Sequence, residues 1–470
     1  MAIDRGVERS EMGRSNQRWL ISLLTLLALL IGRQVAIAAD GPSPQVVTLG
    51  HAVVALNQPW RFHVGDGPWA DADFDDSAWE IVDLTPKPGA HDSDVGLSGY
   101  VSGWNARGHF GYSGYAWYRM RLSVAAPRDF ALALTGPPYV DSAYQIFFNG
   151  RLLGGSGTFT GTTPKVYGTQ PRMFSLPAGI VEGVIAIRVW AGPGRVASAP
   201  DAGGIHIAPA MGEAGAIHDR YLLQWRQSFL GYMVDVIPGI LLVLIALMAA
   251  CLIPFDRADA AYRWLTAALL VTAAIRFNQA VMFWTQIEDS EAYMLVRYVV
   301  LVPLSFGAWA MAWLTWFRIE RPRWIVPSTA ALTAASVASE LLAGSWLPTT
   351  IPTVRTAAFH DVSTVLHLGF LALFVLIAVQ GVLRGARAEP SRSVLALLAV
   401  VVVATGLFAT ELGYLHINGI WFPYGVGVSR TEYSYLALAP ILFALLLGRL
   451  LGYARAKQPI TGGSLDTPGP

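Results

Sequence analysis

The stretch "YQIFFNGRLLGG" (144–155) decides how the first half of the chain folds. An apolar run enters Asn149-Gly150, and a second apolar run leaves it. Both turn residues tolerate the positive φ that a type I′ turn demands, so the pattern predicts a tight β-hairpin. A lone hairpin is marginal in water and needs further strands to cover its apolar face. The flanking sequence supplies them as short runs at Ala116–Val124, Phe130–Leu134, Ala143–Phe148 and Val184–Trp190, separated by turn signals. No long helical pattern intervenes, which favours a jelly-roll or β-sandwich over βαβ units. Residues 40–215, about 175 in all, suffice for a core of their own. The hairpin is expected at an edge of the sandwich, anchored by Phe147 or Phe148.

Farther along, the physics changes. Of 470 residues, 54% are hydrophobic and only 14% charged, with a mean hydropathy of +0.45. An ordinary soluble domain carries about 25% charged residues. Seven apolar spans, near 229–254, 264–286, 294–317, 324–346, 362–383, 393–414 and 431–452, are each long enough to cross a bilayer. The expected fold class is therefore a membrane protein, with an all-β domain followed by a seven-helix transmembrane bundle. Residues 216–228, "AIHDRYLLQWRQS", read as an interfacial stalk between the two. Residues 453–470 read as a short tail.

The N-terminus has the pattern of an export signal over residues 1–39. Arg5, Arg9, Arg14 and Arg18 precede an apolar stretch, and Ala36-Ile37-Ala38 offers a small-residue cleavage site. An uncleaved anchor is the other reading, and either one exports the β domain. With the β domain outside, Arg257, Arg263, Arg318, Arg321, Arg323, Arg384, Arg387, Arg392, Arg449, Arg455 and Lys457 fall on the cytoplasmic side. Only Arg297, Arg355 and Arg430 fall opposite. That asymmetry obeys the positive-inside rule and points to a multi-pass membrane protein with the β domain outside and the tail inside.

Composition also excludes partners and chemistries. A net charge of +1 gives no footprint for nucleic acid. One cysteine, Cys251, rules out an internal disulfide and reads as an inert buried thiol in an apolar run. No histidine pairing suggests zinc, and no cofactor is expected. "DADFDD" (71–76) places Asp71, Asp73 and Asp75 at alternate positions, but Asp76 and Val82 stand where an EF-hand needs Gly and Glu. A looser calcium site or a capped turn remains.

"FHVGDGPWADADFDDSAWEIVDL" (62–84), "GYAWYRMRL" (114–122), "YQIFFNGRLLG" (144–154) and "VIAIRVW" (184–190) occur in an order that resembles the sugar-binding jelly roll of family-two glycosidases, within the galactose-binding-like superfamily. Hydrolysis itself is not expected, because it needs two carboxylates across a cleft that a separate barrel domain supplies. The unusual part is the connection from Thr85 to Tyr115. About 30 residues without secondary structure in a sandwich are functional or disordered. Trp104, Asn105, Arg107, His109 and Tyr112 combine ring faces with donors, as a carbohydrate or another small polar ligand requires. The alternative is that these aromatics fold back to plug the sandwich.

An exported domain of this kind followed by seven spans resembles the bacterial receptors named for seven transmembrane helices with diverse intracellular signalling modules. The resemblance covers roughly residues 45–452. It implies sensing outside and relay to a kinase or cyclic-dinucleotide enzyme. No catalytic motif stands in the short cytoplasmic loops or the tail, so the chain is expected to be no enzyme and to pass its signal to a separate protein. Ionisable residues within spans are functional candidates by default. Asp235, Arg276, Glu340, Asp361, His367 and Glu411 qualify, with Asn278 and Gln279 beside Arg276. They are expected to line an outward polar pocket, with Arg276 paired to Glu340 or Glu411. The competing classes are a membrane-anchored carbohydrate-binding module without signalling and a transporter.

Overall fold

A computed structural model describes residues 53–57, 59–92, 95–124, 131–161, 163–177, 182–192, 200–320, 322–344, 353–385, 390–414 and 430–456. The expected export signal, 1–39, lies outside the described residues, as does the tail beyond 456.

Twelve strands precede the helices among the described residues: β1 Val53–Ala55, β2 Trp60–Val64, β3 Glu80–Val82, β4 Gly114–Ser123, β5 Leu132–Thr135, β6 Tyr139–Val140, β7 Ala143–Phe148, β8 Arg151–Ser156, β9 Met173–Ser175, β10 Glu182–Ala191, β11 Ile205–Ile207 and β12 Ala210–Glu213. They form a six-stranded sheet in the order β3-β2-β4-β10-β7-β8, a four-stranded sheet β1-β12-β5-β9, and the pair β11-β6. Each pairing within them is antiparallel. Alternate residues of the large sheet, among them Phe62, Tyr118, Ile146 and Ile187, meet Leu132, Leu134 and Met211 of the smaller one in a common core. The domain is thus a sandwich of two sheets.

The hairpin is where the sequence puts it. β7 and β8 form the edge of the large sheet, with φ of 47° at Asn149 and 79° at Gly150. Phe148 points into the core, while Phe147 lies on the outer face, stacked on Trp117 at 5.5 Å between ring centroids. Asn149 also clamps the neighbouring strand: its Oδ1 accepts from the Val184 amide at 2.7 Å, and its own amide donates to the Val184 carbonyl at 2.9 Å.

The helices are α1 Ala214–Leu252, α2 Ala260–Trp284, α3 Ser290–Trp316, α4 Ile325–Ala343, α5 Thr353–Gly385, α6 Pro390–Leu407 with a short helical turn Ala409–Tyr414 after it, and α7 Arg430–Ala456. Six of them are long and apolar enough to cross a membrane. The sixth in order, α6, contributes only a shorter apolar helix over Val394–Leu407. Among the described residues six of the seven expected spans are thus shown, and the one expected near 393–414 appears as this shorter apolar helix. Residues 216–228, expected as an interfacial stalk, are the opening of the 39-residue α1. α3 contains a π-helical stretch, Leu295–Leu301.

Leu247, Val375 and Phe443 stand exposed and apolar on the outside of the bundle, as a lipid-facing surface requires. Cys251 is exposed as well, not buried as its apolar run implied. In a lipid-facing helix, hydrophobicity no longer marks the inward side.

The sandwich sits at the end of the bundle where α1 begins, α2 ends and α3 starts. Ile217 of α1 packs against Ala133 and Ala210 of the small sheet. The Ser290 amide donates to the Val166 carbonyl at 2.7 Å. Two glycines permit the closest approaches. A Cβ on Gly168 would lie 2.3 Å from the Met282 carbonyl oxygen, and one on Gly231 would lie 2.5 Å from Val95.

Candidate functional site

The long connection between β3 and β4 divides into two halves with different work. In the second half, Trp104 opens a single 3-10 turn, Trp104–Arg107, and its indole is fully buried against Phe62 and Tyr112. Its N–H donates to the Tyr112 carbonyl at 3.1 Å. The Asn105 Oδ1 accepts from the Gly111 amide at 3.0 Å. Arg107 donates to the carbonyls of Ser102 at 3.0 Å and Asp83 at 2.9 Å. His109 Nε2 stands 3.0 Å from the Glu80 carboxylate, and the Tyr112 hydroxyl donates to the Tyr115 carbonyl at 2.6 Å. All five sequence-selected residues lie close together, and each has a polar atom engaged by the protein itself. They shape this half of the loop.

The first half, Pro86–Gly99, forms one wall of a cleft of about 740 Å³. Ala55, Asn57, Ile207 and Ala208 form its sheet side, and Arg220 of α1 closes it. Arg220 also borders a smaller cavity of about 180 Å³, shared with Gln224 and Gln227. The wall is held in shape by Asp92, whose carboxylate accepts from the amides of Val95 and Leu97. It then docks onto α1: the Gln227 side-chain amide donates to the Val95 carbonyl at 3.2 Å and the Gly96 carbonyl at 2.8 Å. Val95, Leu97, Ile207 and Tyr232 bury one another at this joint. Tyr232 stacks on Phe283 of α2 at 4.3 Å.

Along α1 the residues that face these partners recur at helical spacing. Ile217, Arg220, Gln224, Gln227, Gly231 and Asp235 succeed one another at intervals of three or four, which places them on one face. Arg220 and Gln224 meet the cleft and the smaller cavity, Gln227 and Gly231 the docking loop, and Asp235 the centre of the bundle. From Arg220 to Asp235 is about 22 Å along the helix axis at 1.5 Å per residue. Pro238 comes next within the helix and removes one backbone hydrogen bond directly behind Asp235.

At that centre Arg276 of α2 donates through Nη1 to Asp235 at 2.8 Å and to Glu432 of α7 at 3.0 Å. All three side chains are buried. The Tyr435 ring lies 5.7 Å from the guanidinium. This corrects the expected pairing of Arg276 with Glu340 or Glu411. Glu411 meets His367 at 2.8 Å, and Glu340 accepts from the Ser363 hydroxyl. Asp361 is exposed. Asn278 donates to Glu288 at 3.0 Å, and Gln279 accepts from Arg297 at 2.7 Å within the π-helical stretch. Asp235 and Arg276 are therefore brought together, while Glu340 and Glu411 serve separate contacts. Glu432 was missed because it sits at the entry of the last span, where an acidic residue passes as an interfacial one. Its place one helical turn before Tyr435 was the available signal.

Elsewhere several polar groups are held by the protein's own hydrogen bonds. Asp71 and Asp75 accept from the amides of Asp73 and Ser77, so "DADFDD" is built of Asx turns. Among the described residues no group of three His, Cys, Asp or Glu side chains could hold a metal ion. His206 is buried with Nδ1 2.9 Å from the Val101 carbonyl and Nε2 2.9 Å from Asp141, and Tyr100 stacks on its ring. The Tyr100 hydroxyl is pushed well above its ordinary range, first by burial and then by its hydrogen bond to Asp201.

No family model matches the chain, and no curated protein matches it. Solved structures similar to it are family-two glycoside hydrolases. A β-glucuronidase of Bacteroides uniformis is 20% identical, with a TM-score of 0.25, over 34% of this chain and 17% of that one. A glycosyl hydrolase family 2 member from Bacteroides cellulosilyticus is 20% identical, with a TM-score of 0.23, over 34% of this chain and 20% of that one. A β-glucuronidase of Bifidobacterium dentium is 17% identical, with a TM-score of 0.21, over 29% of this chain and 20% of that one. The chain thus spans a fifth or less of the length of each.

Proposed function

We propose that the protein is a multi-pass sensor of a bacterial inner membrane. Its β domain, of galactose-binding-like jelly-roll type, takes up a small polar or carbohydrate-like ligand outside the cytoplasm. The helices carry the resulting displacement across the bilayer to a separate cytoplasmic partner, a kinase or a cyclic-dinucleotide enzyme. The chain itself catalyses nothing in this reading, and Trp104, Asn105, Arg107, His109 and Tyr112 hold the ligand loop in shape.

One observation carries the proposal: a single face of α1 touches the cleft at Arg220, the cleft wall at Gln227 and Gly231, and the Arg276 centre at Asp235. A ligand acts only by favouring one of two arrangements. A rod with a proline behind its charged residue is a suitable carrier, because the helix beyond Pro238 is free to bend relative to the part before it. At the far end, Asp259 lies 3.9 Å from both Arg318 and Arg449, and Tyr262 meets Tyr453 at 3.2 Å. These contacts join the α1–α2 turn to the ends of α3 and α7, where a partner would read the shift. The choice of partner rests on the family resemblance.

The single, exposed Cys251 near the end of α1 offers a native reporter. With a fluorophore on it, the full-length protein in lipid nanodiscs is titrated with D-glucose, D-glucuronate and glucose 6-phosphate. At least one sugar should alter the emission, and Gly231→Leu, which separates α1 from the loop at Val95, should abolish that response. A sugar that binds by calorimetry while the Cys251 emission stays constant would leave an anchored binding module instead.

A further inference from the structure

The cleft at the sandwich–bundle joint has a sign. Its charged or chargeable lining residues are Lys87, His91 and Arg220, and no carboxylate lines it among the described residues. Arg220 makes no ion pair among the described residues, and its Nε is buried without a hydrogen-bond partner. A guanidinium N–H shielded from water and left unpaired forfeits its hydration without a compensating hydrogen bond. Native proteins keep few such groups, and each asks for an explanation.

A second orphan stands one helical turn away. Gln224 borders the smaller cavity together with Arg220, and its Oε1 is also buried without a partner. Thus a donor bearing positive charge and a neutral acceptor face adjoining space, four residues apart on one helix face. A ligand that completes both must offer an anionic oxygen to Arg220 and a hydroxyl hydrogen to Gln224. Lys87, exposed at the rim, adds long-range attraction for the same charge.

We propose that Arg220 and Gln224 bind a small hydroxylated oxyanion: a carboxylate or phosphate with a hydroxyl group beside it. Soluble sugar acids and sugar phosphates carry that pair, and so does the glycerol phosphate headgroup of phosphatidylglycerol. The assignment rests on the sensor reading and deepens it by naming what the cleft takes up. Arg220 provides the planar donor fork suited to such an anion, which lysine lacks.

The test is calorimetric titration of the full-length protein in a neutral detergent. D-glucuronate and glucose 6-phosphate are the soluble anions, D-glucose is the uncharged control, and micelles doped with phosphatidylglycerol supply the headgroup. Binding of either soluble anion, weakened about tenfold or more by Arg220→Leu and partly kept by Arg220→Lys, supports the site with a soluble ligand. Saturation by phosphatidylglycerol alone, with the same dependence on Arg220, supports it with the headgroup as occupant. Lys87→Glu lies on the exposed rim and leaves the fold intact, so it serves if Arg220 variants misfold. It should weaken the anion several-fold and leave D-glucose unaffected. No anion binding, or binding indifferent to Arg220 and Lys87, overturns the site. If the anion binds through Arg220 while the Cys251 label stays silent, the relay fails and the site stands. If D-glucose alone binds and moves the label, the site fails and the relay stands.

Discussion

Two buried arginines, one in each half of the molecule, solve the same problem in opposite ways. Arg119 in β4 is 0% exposed, with its Nε donating to Asp76 at 2.9 Å. Its terminal nitrogens donate to the carbonyls of Trp69 and Phe74, and the Phe74 ring packs 5.4 Å from its guanidinium. Every one of these partners belongs to one loop, residues 69–76, which closes over the outer face of the large sheet. Arg276 instead has its contacts spread over α1 and α7, with one nitrogen shared between two carboxylates and Nε unpartnered among the described residues. A buried charge fully satisfied by one rigid neighbour is a strut. One shared between separate helices is a junction whose balance changes when either helix moves.

The largest effect should come from the strut. Arg119→Met leaves buried Asp76 with only the more distant Arg121, 3.9 Å away, and removes one donor each from the Trp69 and Phe74 carbonyls, at a cost of about 3–5 kcal/mol. The Trp69, Trp79 and Trp117 cluster packs around this loop, so tryptophan fluorescence during thermal unfolding reports it. Adding Asp76→Asn should rescue little, because the Trp69 carbonyl still lacks the donor that Arg119 supplied, while the Phe74 carbonyl keeps only Arg121 at 3.0 Å. An unaltered melting temperature in Arg119→Met would mean that the loop is held by its aromatic rings alone.

The junction should behave otherwise. Arg276→Leu removes the cation shared by two buried carboxylates and destabilises the bundle, but here neutralising them restores much of the loss, since both hydrogen bonds of Arg276 among the described residues go to carboxylates rather than carbonyls. Asp235→Asn and Glu432→Gln should each cost about 1–2 kcal/mol and combine non-additively, with a coupling of roughly 0.5–3 kcal/mol because they share one guanidinium. Melting of the detergent-solubilised variants measures this cycle. Strict additivity would break the contrast and make Arg276 two independent struts.

How these regions read in the sequence obeys the same division. The hairpin was legible because Asn149-Gly150 and the strands beside it are local. Its residues fix φ, and alternation requires that only one of Phe147 and Phe148 turn inward, though the structure was needed to show that it is Phe148. Asn149→Ala should cost about 1–2 kcal/mol by removing the acceptor for Val184 and straining a φ of 47°, while Asn149→Gly should cost less. The expected ligand residues, from Trp104 to Tyr112, were found as a cluster, but composition does not say which way an aromatic ring turns. The fully buried Trp104 indole depends on Phe62, which arrives from β2 and itself packs on Tyr118. Arg276 was legible as a costly charge, yet Glu432 lies 156 residues farther along, beyond any local pattern. The polar stripe Arg220–Gln224–Gln227 was visible in the chain. It read as an interfacial stalk because nothing local announces that the Val95 loop covers it.

A third arginine, half in water, sharpens the comparison with the smallest effect. Arg188 in β10 stacks 3.9 Å over the Tyr115 ring and donates to Gln145 at 3.0 Å and to Asp66 through Nε at 2.9 Å. Asp66 also accepts from the Trp117 indole at 3.0 Å. Burial raises the Asp66 carboxyl, but the hydrogen bonds from Arg188 and Trp117 and the nearby charge outweigh it and hold it below the usual 3.8. A carboxyl depressed in the folded state adds stability at pH values above its unfolded pKa, and that contribution disappears as pH falls through the folded value. The loss attributable to Asp66 therefore belongs below about pH 3.8, with nothing expected between pH 5 and 8. Because the Asp66 side chain is 37% exposed, solvent screens the pair and the change should be a fraction of that at Arg119. Asp75 and Asp83 are lowered too, by hydrogen bonds from Ser77 and Thr85, so only the difference between wild type and Asp66→Asn isolates the pair. In acid titrations monitored by tryptophan fluorescence, the wild type should converge on the variant as pH drops. Parallel curves would show that Tyr115 and Gln145 alone hold Arg188, which would make it a packing residue rather than a weaker strut.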